Sequence, residues 1–230
     1  MITDSITGYK PASGARRSAI LAGVFYFLTF LLGGVAQFAS SGLLVSGNPM
    51  YTAANLLARE RRFWLGFAAY LLVVACYVAV TAFFYELSKP ANRTLSLLAA
   101  FFSLVGCAIQ ACACFFYIIP LLLVKGMSYR TLGQEQLQGM AYICFNFYTQ
   151  LYSIGFPFFG FYCCLIIGYL VFKSMFLPRI LGVLMMCAGF GWLTFVVPPL
   201  ANSLWPYVAI PGIVGEGSLT IWLLTKGKDV

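Results

Sequence analysis

The chain of 230 residues contains no histidine, and only 9% of its residues are charged. Without histidine it lacks the usual axial ligand of haem, the commonest ligand of zinc and copper, and the general base of hydrolase triads. No metal or cofactor is expected. The shortage of charge leaves too little polar surface to cover a chain that is 62% hydrophobic, with a mean hydropathy of +0.91, so a soluble domain is excluded.

What is present is a series of long apolar runs, unlike the short alternating segments of a membrane barrel. Six can be placed: Ala19 to about Phe38, Phe63 to Tyr85, Leu95 to Val124, about Gln138 to Phe172, Ile180 to Val197, and Trp205 to Thr225. Each is long enough to cross a hydrocarbon core about 30 Å thick as an α-helix. The expected fold is an all-α, polytopic membrane protein with six transmembrane helices and a short interfacial helix between the first two. Residues 1–17 and 228–230 would be cytoplasmic tails, and residues 18–227 a single membrane domain.

The net charge of +8 reads as topology rather than as nucleic-acid affinity. Nine of the fourteen basic residues, from Lys10, Arg16 and Arg17 through Lys89, Arg93, Lys173 and Arg179 to Lys226 and Lys228, fall on one side of the threading. Arg59, Arg61, Arg62, Lys125 and Arg130 fall on the other. Both termini are therefore expected in the cytoplasm of a cell, most simply at a bacterial inner membrane. No small-x-small cleavage site follows the first run, so it is read as a retained helix and not as a secretory signal.

All eight cysteines lie within the predicted helices, where they act as small packing residues, and no disulfide framework is implied. Cys112 and Cys114 are two apart, point about 200° from each other on a helix, and so cannot share one ion.

Between the first two runs, Asn48-Pro49 has the form of a helix start, with asparagine as cap and proline in the first turn. Thr52, Asn55, Arg59 and Arg62 then share one face, as in a connecting helix at the interface. The third and fourth runs are about thirty and thirty-five residues long, where roughly twenty suffice, so they must tilt, bend or protrude. Pro120 and Gly155-Phe156-Pro157 are the expected bend points.

Two polar seams stand out. On the fourth run Asn146, Gln150, Ser153, Pro157, Gly160, Cys164 and Gly168 recur every three or four residues and share a face. On the third, Ser103, Gly106, Cys107, Gln110, Ala111 and Cys114 do the same. Small residues with occasional amides permit close helix approach in a bilayer, so the two helices are expected to touch along these seams. Packing alone, or a pathway between them, would explain the pattern.

Glu216 is the sole carboxylate inside a predicted span. It lies nine residues from the cytoplasmic end of its helix, roughly 14 Å deep at 1.5 Å per residue. The same offset places Tyr26, Tyr77, Ser103, Cys163 or Cys164, and Cys187 near its level, with Tyr162 within reach. No lysine or arginine is. A neutral glutamic acid, hydrogen-bonded to another helix, is the expectation, and intramembrane acids are functional candidates by default. Gly212 and Gly215 thin the helix before it, so that face should pack inward. The candidate polar site comprises Glu216, Tyr162, Ser103, Gln110 and Tyr77; Ser153, Pro157, Gly160, Cys164 and Gly168 form the packing seam.

The strings ARRSAILAGVFYFLTFLLG, ELSKPANRTLSLLAAFFSLVG, EQLQ, GYLVFKSMFLPRILGVLM and GEGSLTIWLLTKG, in that order, resemble the bacterial membrane family described as domain of unknown function 4386. The resemblance runs from Ala15 to Gly227. It implies a compact multi-helix membrane protein and matches Glu216 to an acid recurring in the family's final helix, but it implies no known reaction. The family often carries an arginine where Ser103 stands and a histidine in the fourth helix. This sequence has neither, so the resemblance carries over no ion pair to Glu216.

No nucleophile with a base, paired acids or metal-ligand cluster can be assembled from the spans, which disfavours an enzyme. The leading expectation is a non-enzymatic accessory, assembly or stress-related membrane component. The alternative is a small proton- or cation-linked transporter or channel using Glu216. Expected partners are membrane lipids, with another membrane protein as a further candidate, and no nucleic acid. A polar cavity reaching Glu216 would favour transport; a sealed, fully packed Glu216 would favour the first reading.

Overall fold

The structure is a computed structural model that describes residues 13–126, 132–174 and 177–227. The side chains of Cys163 and Cys164 lie outside what it describes, as do Lys10, Arg130 and Lys228. Helices α1 (Ser13–Ser40), α2 (Pro49–Ala58), α3 (Glu60–Ser88), α4 (Arg93–Val124) and α5 (Gln134–Gly160) come first. A π-helical turn, Phe161–Ile167, joins α5 to α6 (Gly168–Lys173), and α7 (Arg179–Leu193), α8 (Pro198–Ser203) and α9 (Trp205–Lys226) complete the order. No strand occurs among the described residues. Among the described residues six helical stretches are long and apolar enough to span a membrane: Ala15–Ser40, Glu60–Ser88, Arg93–Val124, Gln134–Lys173, Arg179–Val196 and Tyr207–Lys226. The protein is an all-α, multi-pass membrane protein.

Local chemistry sets the boundaries. Asn48 caps α2 by accepting from the Tyr51 amide at 3.0 Å, with Pro49 in the first turn, and Asn92 caps α4 by accepting from the Leu95 amide at 2.9 Å. The polar face of α2 turns onto the connection from α1: Asn55 Nδ2 donates to the Gly42 carbonyl at 3.0 Å, and Thr52 Oγ1 bonds the backbone at Val45. On α3, Arg62 donates to the Phe38 carbonyl at 2.6 Å and so satisfies a carbonyl in the last turn of α1. Lys125 Nζ, just past α4, meets Glu60 Oε1 at 2.5 Å at the start of α3.

Two elements add to the sequence reading. The irregularity in the fourth run lies at Phe161–Ile167, downstream of Pro157, which sits inside continuous α5. One proline removes one backbone donor, and a packed helix tolerates that loss; the wider π turn comes after it and re-aims the residues beyond. The fifth span ends at Val196, as its apolar run implied, and the Pro198-Pro199 pair that follows opens the short helix α8, because a first turn does not need the missing N–H groups.

The spans form a closed circuit in which α1 packs on α3, α3 on α4, α4 on α5, α5 on α7, α7 on α9, and α9 back on α1. Ala19 near the start of α1 lies against Gly227 just beyond α9, so the two ends of the described chain share one end of the bundle, here the near end. There an aliphatic and aromatic core gathers Tyr26, Val80, Phe84, Tyr162, Met185 and Leu223. Toward the far end the core is dominated by rings, among them Phe63, Tyr70, Tyr117 and Tyr148, with Tyr117 Oη and Ser40 Oγ hydrogen-bonded at 2.9 Å.

The seams pack differently from the simplest expectation. α4 meets α5 at Gly106 and Gln110 on one side and at Gly155 and Phe159 on the other: a Cβ at Gly106 would lie 3.1 Å from the Phe159 ring, and one at Gly155 2.9 Å from Gln110 Cγ. Gly160 faces α7 instead, where a Cβ would lie 3.1 Å from Leu193 and 3.2 Å from the Gly189 carbonyl oxygen. Gly168 is buried, and its carbonyl lies 2.7 Å from where a Cβ on Gly182 of α7 would stand. Ser153 and Pro157 are half-buried and Gln150 is exposed. The seam glycines on either side of the π turn, Gly160 and Gly168, thus both meet α7, while α4 is met through Gly155 and Phe159, which the predicted seam did not include. Cys112 is exposed and Cys114 buried, on opposite sides of α4.

Candidate functional site

Glu216 stands midway along α9, 6% exposed, and its carboxyl joins three helices. Tyr26 of α1 donates its hydroxyl to Oε2 at 2.8 Å, and Trp192 of α7 donates its indole N–H to Oε1 at 2.5 Å. Each oxygen thus has one neutral donor, and no lysine or arginine reaches either among the described residues. Thr220, one turn on, spends its hydroxyl on the Glu216 carbonyl at 2.8 Å.

Glycines on α9 make this geometry possible. At Gly215 a Cβ would fall 2.5 Å from the Leu184 carbonyl oxygen, so only a glycine lets α9 approach α7 so closely. At Gly212, one turn before the acid, a Cβ would fall 2.8 Å from Trp192 Cζ2, in the space the indole occupies. The indole is fixed on its other side by Phe156, stacked at 5.0 Å with planes 13° apart. Tyr26 is held edge-on by Phe84 at 5.8 Å and by Tyr77 at 5.9 Å.

Beyond the carboxyl the bundle opens. α1 and α9 are in contact at the near end, where a Cβ on Gly23 would lie 3.0 Å from Leu223 Cβ; farther along α1, Cβ atoms on Gly33 or Gly34 would meet nothing within 4 Å. The separation leaves a cleft of about 270 Å³ with Glu216 and Tyr26 at its inner end. Gly33 and Gly34 of α1 and Ile213 and Trp205 of α9 stand at its mouth, and Gly34, Ile213 and Trp205 are exposed, so the cleft reaches the surface of the bundle. Tyr77, Phe159, Gln110 and Trp192 line its wall. Glu216 is the one charged residue type in that lining.

Of the residues singled out in the sequence, Glu216, Tyr77 and Gln110 therefore meet at one cavity. Ser103 does not. It is buried in a 2.5 Å hydrogen bond with Thr81 of α3 and serves to join α3 to α4. Tyr162 is buried with its ring edge-on to Phe84 at 6.3 Å and does not line the cleft. Tyr26 was placed at the right depth by residue counting, but nothing in the sequence pointed its hydroxyl at Glu216. Trp192 was missed. An indole N–H inside a bilayer requires an acceptor, and a single carboxylate in the spans was the available signal.

The family model described as Domain of unknown function (DUF4386) matches residues 21–227. An uncharacterized protein of Archaeoglobus fulgidus is 28% identical over 161 residues, which covers 69% of this chain and 82% of the relative. No solved structure matches.

Proposed function

We propose, for a chain that belongs to the family described as domain of unknown function DUF4386, that it is a small membrane carrier or channel that binds its ligand at Glu216. One observation carries this reading: the lone intramembrane carboxyl, buried and held by Tyr26 and Trp192, stands at the inner end of an open cleft whose lining is mainly aromatic and aliphatic. A residue kept only for packing has no need of such a cavity, whereas ion and substrate pathways place their acids on one. Glu216 is a neutral acid at rest, and the chain is not an enzyme. In support, no second carboxylate lines the cleft to pair with Glu216.

Both termini lie in the cytoplasm of the cell, so the cleft opens in the outer half of the bilayer. The even number of spans and the basic asymmetry support that orientation. Membrane lipids contact the exposed apolar faces, and no nucleic acid is bound. The second reading is an accessory component in which Tyr26, Trp192 and Glu216 only tie helices together; those two hydrogen bonds favour it. The two are separated in reconstituted vesicles. Proton- or cation-dependent flux that Glu216→Gln abolishes while folding is preserved supports the carrier. Vesicles of wild type and variant that are equally silent, under gradients of either sign, support the accessory component.

A further inference from the structure

We infer that the Glu216 cleft is a site for lipophilic organic monocations, compounds that carry an ammonium or comparable cationic centre on an apolar frame. The inference rests on reading the cleft as a ligand site and specifies what enters it. The lining narrows the choice of ligand. Apart from Glu216 it carries no ionisable group other than tyrosine, with Tyr26 facing in from α1, Tyr77 from α3 and Tyr152 from α5. α4 contributes the neutral amide of Gln110 and α7 the indole of Trp192. No lysine or arginine is present to accept an anion, and a lining made mainly of aromatic and aliphatic surface suits an organic cation better than a hydrated inorganic one.

Aromatic rings supply what an organic cation needs. The faces of Tyr, Trp and Phe attract a cationic centre within about 6 Å of the ring centroid, most strongly where water is excluded. Tyr77 and Phe159 pack together at 4.6 Å as one aromatic wall, Tyr152 lines another, and exposed Trp205 stands at the mouth. The two donors on Glu216 suit the charged complex: as the cation arrives the carboxyl releases its proton to solvent, and Tyr26 and Trp192 each stabilise one oxygen of the resulting carboxylate. An apolar frame can enter between α1 and α9, where the glycines at positions 33 and 34 leave the passage unobstructed.

Benzyltrimethylammonium and its neutral carbon isostere neopentylbenzene have the same shape and differ in charge. Equilibrium dialysis of both against the full-length protein in lipid nanodiscs, with empty nanodiscs subtracted, tests the inference. Saturable binding of the ammonium compound, weakened at least tenfold in Glu216→Gln, with the isostere indifferent to that substitution, is the expected result. Trp205→Ala at the exposed mouth is expected to weaken the cation several-fold, which keeps the test valid if the Glu216 variant fails to fold. Equal binding of both compounds, unchanged by either substitution, would overturn the cation inference and leave the cleft a ligand site. No saturable binding of either compound would overturn the inference, and the vesicle fluxes would then decide the carrier reading separately.

Discussion

The two ends of the bundle use the same helices in opposite ways. At the near end α1, α7 and α9 converge, with Gly23 against Leu223 and Leu224 and Gly227 against Ala19. At the far end α1 and α9 diverge around a cleft whose walls are rings. Lipid gives no hydrophobic drive to bring helices together, so close van der Waals packing at small residues and a few interhelical hydrogen bonds must hold them. The near end supplies the packing. The Glu216 carboxyl, at the boundary between the two regions, supplies the bonds from α9 to α1 and to α7. A glycine therefore has no fixed meaning in this chain. Gly215 is required by the approach of α9 to α7, whereas Gly33 and Gly34 border open space.

That contrast can be broken most severely at Gly215. Leucine there has no room beside the Leu184 carbonyl and Ala188, and Gly215→Leu is expected to destabilise by about 3 kcal/mol, read as a lowered thermal midpoint in detergent and in bilayers. Gly160→Leu meets Leu193 and the Gly189 carbonyl at slightly longer range, for an expected loss of about 2 kcal/mol by the same measurement. An unchanged midpoint would show that the α5 seam faces lipid.

Glu216→Ala removes the acceptor of both Tyr26 and Trp192. Leaving buried donors unsatisfied costs about 1 to 3 kcal/mol, and the adjoining cleft can admit water to them, so the low end of that range is expected. Glu216→Gln keeps an acceptor oxygen and nearly the same shape and should be milder. Equal losses in the two variants would mean that the hydrogen bonds do not join the helices as described.

The smallest effect should have the opposite sign. Gly34→Ala fills open space on a helix and reduces the freedom of the unfolded chain, so a gain of about 0.5 kcal/mol is expected from the same unfolding curves. A loss comparable to that at Gly160 would show that α1 and α9 close together at the far end and that the cleft does not persist.

Six spans, the α2 cap at Asn48 and the inward face of α9 at Gly212 and Gly215 were all legible, because each depends on chemistry local to its own segment. Glu216 was legible as a candidate because one carboxylate among apolar residues is conspicuous. Its partners were not. Counting residues along a span gives depth but not azimuth, so Tyr26, Ser103 and Tyr162 looked equivalent until packing turned Tyr26 toward the acid, Ser103 toward Thr81 and Tyr162 toward Phe84. The π turn at Phe161–Ile167 has no sequence signature comparable to proline, and the partner of the seam was not legible either: Gly160 and Gly168 meet α7, whereas α4 is met through Gly155 and Phe159, off the predicted seam.

The central claim is that the Glu216 carboxyl is reached from the apolar side of the protein through the cleft between α1 and α9. Carbodiimide labelling followed by peptide mass spectrometry tests it most directly, with a membrane-soluble reagent such as dicyclohexylcarbodiimide compared with a water-soluble one on the protein in bilayers. Modification of Glu216 by the membrane-soluble reagent alone, with exposed Glu86 reacting with the water-soluble one, is the predicted result. A Glu216 that stays unmodified by the membrane-soluble reagent under conditions where Glu86 is labelled would contradict the account and leave the carboxyl as a sealed structural hydrogen bond.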